Sequence, residues 1–162
     1  MNTIAVLLPI YKKDSPKYFT TTVRSIISQT LHDYKIFLGV DGPIEGGLND
    51  IVNECEEDGK FCVIRFKENR GLACVLNDLI TAAEKQGFEY FARIDADDIC
   101  VSDRFKNQMD FLLSHPEVDV VGGKIEEIDE NGQKNGKSVT YPLTHEECRK
   151  FFRYRDPLAH PA

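Results

Sequence analysis

The stretch FARIDADDIC, residues 91–100, places three carboxylates within four positions directly after an apolar run. Asp95, Asp97 and Asp98 repel one another at neutral pH, because each carries a negative charge there. A following helix needs only one acid near its first turn, so helix capping does not account for all three. Hard divalent cations prefer carboxylate oxygens, and Mg²⁺ typically takes one or two of them from the protein. The cluster therefore predicts a Mg²⁺ or Mn²⁺ site.

Several other sites that use acids or glycines are excluded by spacing. Counted from Asp95, the sixth position of an EF-hand loop would be Cys100 and the twelfth Lys106, where Gly and Glu are required. The chain has no GxGxxG dinucleotide fingerprint, no GxxxxGK[ST] phosphate loop and no GxSxG nucleophile elbow. Its five cysteines form no CxxC pair. We expect them to be reduced and mostly buried thiols.

Composition indicates an ordinary globular chain of one domain. The 162 residues are 41% hydrophobic and 29% charged, and the formal net charge is −7. That charge argues against nucleic acid as a partner and against general binding to anionic lipid. The N-terminus has no charged leader region before its apolar run, and no apolar stretch approaches the roughly 20 residues of a membrane span. We therefore expect a cytoplasmic protein.

Short apolar runs alternate with longer helical patterns, and this alternation predicts a parallel sheet with helices on both faces. The first four strands are predicted over residues 3–10, 34–41, 60–66 and 89–94. VDVVGG, residues 118–123, predicts a fifth strand, and residues 124–142 a hairpin or antiparallel edge. Ser15 precedes Pro16 as the predicted cap of the first helix, and Thr144 with Glu147 has capping-box spacing. The fold class is therefore α/β.

Polar side chains follow each of the first four strands. Tyr11 ends the first, Asp41 the second and Arg70 comes just after the third, while the acidic cluster follows the fourth. Ligands of open α/β sheets bind at the carboxyl ends of the strands, so these residues are expected at one edge. Each of these residues also has a purely structural explanation. Asp41-Gly-Pro is a sequence typical of turns, Arg70 can be an ordinary surface cation, and Tyr11 can pack against neighbouring side chains. Their common placement is the stronger indication.

Five motifs together resemble the family 2 glycosyltransferases, which have the Rossmann-like GT-A fold. They are VLLPIYKKD, SIISQTL, GVDG, ENRGLACVLNDLI and ARIDADDI, and they follow one another in the order and spacing of that family. The similarity extends over essentially the whole chain and is greatest to enzymes of bacterial exopolysaccharide and O-antigen synthesis.

The resemblance implies a nucleotide-sugar donor, most often a UDP-sugar, and Mn²⁺ or Mg²⁺ as cofactor. Asp97 would be the chief metal ligand, supported by Asp98 and by Asp95, which would contact ribose or the metal. The implied nucleotide-sugar site comprises Pro9, Tyr11, Asp41, Asn69, Arg70, Asp95 and Ala96. Asp41 would bind the base. The acceptor would be a saccharide or a lipid-linked saccharide, and transfer would invert the anomeric carbon.

Two departures from the family pattern limit these implications. Many members have two acids before the glycine that follows the second strand, whereas this chain has only Asp41 before Gly42. The chain also ends at RDPLAHPA, where the family continues into the acceptor region. We therefore expect residues 1–162 to be a single GT-A domain without its C-terminal acceptor-binding part, and the general base to lie beyond Ala162. We also expect that the full-length protein can associate peripherally with the inner face of the membrane and can form oligomers.

Two alternatives stay open at this point. A phosphoryl-transfer or receiver-type α/β protein would also use the acidic cluster for Mg²⁺. Such sites commonly draw a further acid from the end of the first strand, which here reads Pro9-Ile10-Tyr11. A nucleotide-sugar-binding fragment without catalysis is the second alternative.

Overall fold

The computed structural model describes residues 3–160, and its centre is a four-stranded parallel sheet. The strands are β1 (Ile4–Tyr11), β2 (Tyr34–Asp41), β3 (Phe61–Arg65) and β4 (Tyr90–Arg93), in the order β3-β2-β1-β4. In the register of β1 with β2, Tyr11 lies opposite Asp41, so these two strands end together. The four predicted strands and their parallel arrangement are confirmed.

Both faces of this sheet are covered by helices, as predicted. The helices are α1 (Pro16–Ile27), α2 (Gly46–Glu57), α3 (Leu72–Glu84) and α4 (Arg104–Ser114). Phe19, Val52 and Phe105, from α1, α2 and α4, pack in one buried cluster with the β1 side chains of one face. On the opposite face, Val75 and Leu79 of α3 pack against alternate sheet residues. The two-residue period of β1 divides its side chains between these layers.

Gly39 of β2 is required by the close approach of α3 to the sheet. A Cβ atom at this position would lie 2.5 Å from Val75 Cγ1 and 3.2 Å from both methyl carbons of Leu79. Real Cβ atoms do not approach other atoms so closely, so only glycine lets the helix pack at this distance.

Ser15 occupies the position before α1, and Pro16 begins the helix, as predicted. The Ser15 side chain accepts no capping hydrogen bond from the helix, so that part of the prediction is wrong. Pro16 needs no partner at this position because it has no N–H.

The chain divides into two compact units, the first ending at Met109 and the second beginning at Asp110. The second unit contains a hairpin of β5 (Ile125–Ile128) and β6 (Lys134–Val139), followed by α5 (His145–Phe151). Thr144 and Glu147 form the predicted capping box of α5. That the chain is one domain stays a prediction.

The fifth strand predicted at residues 118–123 is wrong. These residues are irregular, and within residues 3–160 no strand pairs with them. Val120 is 66% exposed, so its apolar side chain is not a core position. Gly122 and Gly123 also disfavour a strand, because they offer no side chain to pack on a pleated surface.

The five cysteines are all free thiols, but they are less buried than predicted. Cys55 and Cys100 are buried, Cys62 and Cys148 are half-buried, and Cys74 is exposed at the start of α3. The prediction of reduced thiols agrees with this arrangement, and the prediction of general burial is wrong. No helix among residues 3–160 combines the length and apolarity needed to cross a membrane.

Candidate functional site

A cavity of about 380 Å³ opens at the carboxyl ends of the parallel strands. Seven of the residues predicted from sequence line it: Pro9, Tyr11, Asp41, Asn69, Asp95, Ala96 and Asp97. The remaining lining residues are Ile10, Asp14, Gly71, Leu72 and Val75. Arg70 and Asp98, also predicted from sequence, are not among the lining residues. The strand ends therefore converge on one cavity, as the parallel topology requires.

The carboxylate of Asp41 stabilises the loop before α3, which forms one wall of the cavity. Its Oδ1 accepts a hydrogen bond from the backbone N–H of Arg70 at 2.7 Å, and its Oδ2 one from Gly71 N–H at 3.0 Å. The side-chain amide of Asn69 donates to the Asp41 carbonyl oxygen at 3.2 Å. Gly71, with φ +86°, is the residue before α3 and has no side chain with which to cap the helix. Asp41, only 6% exposed, therefore anchors this loop from the neighbouring strand.

The side chain of Arg70 lies on the outer side of this loop. Its guanidinium forms an ion pair with Asp78 on α3 and lies over the Phe66 ring, with Cζ 4.5 Å from the ring centroid. The backbone of Arg70 thus bonds to Asp41, a residue that lines the cavity, while the side-chain charge of Arg70 is directed to α3. A contact with a nucleotide stays a prediction for this residue.

The opposite wall is the acidic loop that follows β4. Asp97 is exposed, and Asp95 accepts a hydrogen bond from Arg93 Nη2 at 3.0 Å. The pKa of Asp98 is raised to about 6, mainly by burial and then by the negative charges of Asp97 and Asp95. Arg104 and Arg93 oppose this shift. The three carboxylates of the loop thus outnumber the two arginines that act on Asp98.

Asp14 is a cavity residue that the sequence analysis did not identify. Its Oδ2 accepts a hydrogen bond from the backbone N–H of Tyr11 at 2.8 Å, which turns the chain back over the end of β1. Burial raises the pKa of Asp14, the bond from Tyr11 lowers it, and the charges of Asp97 and Asp95 raise it. Its signal in the sequence is the turn Tyr-Lys-Lys-Asp directly after β1, which places Asp14 three residues beyond the strand end.

The residues at this edge suit a hard divalent cation that keeps other ligands. The available donors, Asp95, Asp97 and Asp98, are all carboxylates, which is the ligand class of Mg²⁺ and Mn²⁺. Among the residues that the structure describes, no group of three or more His, Cys, Asp or Glu side chains is arranged to hold an ion by itself. Such a site fits an ion that takes one or two ligands from protein and the rest from phosphate and water.

Comparison with curated proteins identifies related glycosyltransferases. The chain is 31% identical over 156 residues to the amylovoran biosynthesis glycosyltransferase AmsE of Erwinia amylovora, covering 96% of this chain and 57% of AmsE. It is 26% identical over 158 residues to an Escherichia coli UDP-Gal:alpha-D-GlcNAc-diphosphoundecaprenol beta-1,3-galactosyltransferase, covering 98% and 56% of the two chains. This chain thus spans somewhat more than half the length of these relatives.

Solved structures share the fold at lower sequence identity. TarS residues 1–349 of S. aureus, in complex with UDP-GlcNAc, matches with a TM-score of 0.60 and 20% identity over 70% of this chain and 32% of TarS. The mannosyltransferase PcManGT of Pyrobaculum calidifontis, in complex with GDP-Man and Mn2+, matches with a TM-score of 0.56 and 19% identity over 78% and 35% of the two chains. These neighbours are GT-A glycosyltransferases, so the predicted fold class is confirmed.

The family model described as "Glycosyl transferase family 2" matches residues 5–161, nearly the whole chain. That range includes every residue that lines the cavity at the strand ends. With the relatives in polysaccharide synthesis and the GT-A fold, the match shows that this chain belongs to glycosyl transferase family 2.

Proposed function

We propose that this chain is the donor-binding part of a metal-dependent glycosyltransferase that transfers a sugar from a UDP-sugar, with inversion, to a saccharide or lipid-linked acceptor. The observation that carries the proposal is the cavity between Asp41 on one wall and Asp95 with Asp97 on the other. Cell-surface polysaccharide synthesis is the process to which relatives such as AmsE belong.

The cavity suits a nucleotide in size and in lining. Its volume of about 380 Å³ lies within the range of small-molecule sites. Tyr11 is 39% exposed at its mouth, so its ring is accessible for stacking on a base, while Pro9 supplies apolar surface. Asn69 retains an amide oxygen as an acceptor, because its amide nitrogen is the atom that donates to Asp41.

The choice of a uridine nucleotide rests on the relatives. The E. coli relative is named for UDP-Gal, and TarS was solved with UDP-GlcNAc. PcManGT, with the same fold, was solved with GDP-Man, so the fold alone does not select the base.

Asp97, with Asp95 and Asp98, would hold the Mn²⁺ or Mg²⁺ ion. The ion would offset the negative charge that develops on the nucleoside diphosphate as the bond from the anomeric carbon to the phosphate oxygen breaks. The chain's own contribution is to place the donor: Asp41 holds the loop before α3, and the acidic loop faces it across the cavity. Inversion is a direct displacement, in which the acceptor oxygen bonds to carbon from the side opposite the leaving group. We assign no general base among residues 3–160.

We further propose that the full-length protein acts on a lipid-linked acceptor at the inner face of the membrane. The support is the E. coli relative, whose name specifies a diphosphoundecaprenol acceptor.

Calorimetric titration of the 162-residue chain with UDP, in EDTA and in Mn²⁺ or Mg²⁺, tests the donor site. We expect at least tenfold tighter binding with metal, and we expect Asp97→Asn to abolish most of that gain. Asp50→Asn, an exposed carboxyl on α2, is the matched control. Equal UDP affinity with and without metal in the wild-type chain would contradict the metal-dependent proposal.

A further inference from the structure

Helix α1 and the turn that follows it direct three buried polar side chains at the acidic loop and the residues after it. Thr22 and Gln29 are 0% exposed and Ser25 is 8% exposed. Thr22 and Ser25 are three residues apart on one face of α1, whereas Gln29 lies just beyond the end of the helix. An apolar side chain would be the ordinary choice at such positions, because a polar group loses solvation there unless it is hydrogen-bonded.

Each of these side chains bonds to the backbone of the loop or of the helix that follows it. Thr22 Oγ1 donates to the carbonyl oxygen of Ala96 at 2.9 Å. Ser25 Oγ accepts from Cys100 N–H at 3.1 Å. Gln29 Nε2 donates to the carbonyl oxygen of Val101 at 2.7 Å, and its Oε1 accepts from Phe105 N–H at 3.0 Å.

The position of the Thr22 contact within the loop is what gives it a functional consequence. Ala96 is the residue between Asp95 and Asp97, and all three line the cavity. The Ala96 carbonyl belongs to the peptide unit that leads into Asp97, and Asp95 is the residue directly before Ala96, so this hydrogen bond holds the loop between the two carboxylates. Ser25 holds the later part of the same loop, and Gln29, just after α1, holds Val101 and the first turn of α4. The strand end and the start of α4 are therefore both tied to α1 and the turn that follows it.

We propose that Thr22 is a positioning residue for metal-dependent donor binding, acting through the Ala96 carbonyl to place Asp95 and Asp97 at the cavity. This inference rests on the proposed function, since it concerns the same site. Metal ions tolerate little displacement of their ligands, and Mg²⁺ in particular demands near-ideal geometry. A loop that is folded but displaced would thus bind nucleotide without the full metal-dependent gain.

The chain supplies its own matched control, because three threonines occur in succession on α1. Thr20 and Thr21 donate only to the carbonyl oxygens of Pro16 and Lys17, one turn earlier in the same helix. Thr22 also lies 3.2 Å from the carbonyl oxygen of Tyr18, but it alone of the three bonds to the loop. Thr21→Val and Thr22→Val are therefore the same chemical change on the same helix, at an exposed position without the loop contact and at a buried position with it.

The experiment measures the affinity for UDP in EDTA and in Mn²⁺ by calorimetry, together with the melting temperature, for the wild-type chain and these variants. For Thr22→Val we expect the metal-dependent gain to fall about tenfold, the affinity in EDTA to change less than twofold, and Thr22→Ser to restore the gain. Thr21→Val should keep the full gain. An unchanged gain in Thr22→Val, or an equal loss in Thr21→Val, would overturn the proposal.

A lower melting temperature in Thr22→Val with an unchanged metal-dependent gain would assign the hydroxyl a merely structural role. Should Thr22→Val fail to fold, Thr22→Ala gives the decision, since it also removes the hydroxyl that donates to the Ala96 carbonyl and adds no methyl group in its place. We expect about a tenfold loss of the gain in that variant too, and no loss would refute the proposal. If the wild-type chain itself shows no metal-dependent gain in UDP affinity, the proposed function is refuted. That outcome differs from one in which the wild type shows the gain and the Thr22 variant keeps it, which refutes only the role of Thr22.

Discussion

Asp41, the last residue of β2, accepts hydrogen bonds at both carboxylate oxygens from the backbone at the start of α3, with Gly71 N–H 3.0 Å from Oδ2. The contact joins two elements about 30 residues apart in sequence. It also means that one side chain both closes the cavity wall and stabilises the fold. The alternatives that sequence left open for Asp41, turn residue or ligand contact, are therefore not exclusive.

Replacing Asp41 should destabilise the protein before any effect on binding is considered. Asp41→Ala leaves two partly buried backbone N–H groups without their acceptor, so we expect a loss of about 1–3 kcal/mol in the free energy of unfolding. Asp41→Asn keeps one acceptor oxygen and should lose about half as much. Urea unfolding measures both, with the exposed Asp50→Ala as control. A change below 0.5 kcal/mol in Asp41→Ala would mean that the loop is held by other contacts.

The stability of the metal-free chain should fall as the pH rises from about 4 to about 6. The folded-state pKa of Asp98 is raised to about 6, above its value in an unfolded chain, so the folded state binds more protons in that interval. Asp97 and Asp95 face this carboxyl and raise its pKa, while Arg104 and Arg93 act in the opposite direction. The decrease in the free energy of unfolding is complete above about pH 6. We expect it to be about 1–2 kcal/mol after allowance for partial solvent screening.

Asp98→Asn provides the measurement of that cost. Its free energy of unfolding in EDTA should match that of the wild-type chain near pH 4 and exceed it by about 1–2 kcal/mol at pH 7.5. The raised pKa of Asp14 has the same sign, so Asp98→Asn should remove only part of the pH dependence. Parallel pH profiles for Asp98→Asn and the wild-type chain would show that this carboxyl does not titrate as the structure indicates.

The sheet and the cavity could be predicted from sequence because both follow from local patterns. Apolar runs located β1 to β4, and parallel topology then required their carboxyl ends to meet, which brought Asp41 and Asp97 together. The pattern at residues 118–123 failed because alternating valines do not show whether a partner strand is present. Asp14 and Thr22 were missed because their contacts depend on how the chain turns and how α1 is rotated, which no short motif encodes.

Gly39→Ala should destabilise the packing of α3 on the sheet, in which Val75 takes part and also lines the cavity. The added methyl group would meet Val75 Cγ1 at 2.5 Å, so α3 must move or the valine must change rotamer. We expect a loss of about 1–3 kcal/mol in urea unfolding. Val75→Ala should relieve part of that loss in the double variant, because it removes the clashing atom. Strict additivity of the two single changes would contradict this account.

The ion pair between Arg70 and Asp78 competes with any role of Arg70 in donor binding. The guanidinium is exposed, lies over Phe66 and pairs with α3, so it must leave Asp78 to reach a diphosphate in the cavity. We expect Asp78→Asn to strengthen UDP binding two- to threefold, because it removes the competing carboxylate, and Arg70→Ala to weaken it about threefold. The double variant should behave like Arg70→Ala, since the Asp78 change acts only through Arg70.

Calorimetry at low and at moderate salt measures these effects, and the gain in UDP affinity of Asp78→Asn should shrink as salt screens the charges. If Arg70 is only a surface cation, all three variants will bind UDP as the wild-type chain does.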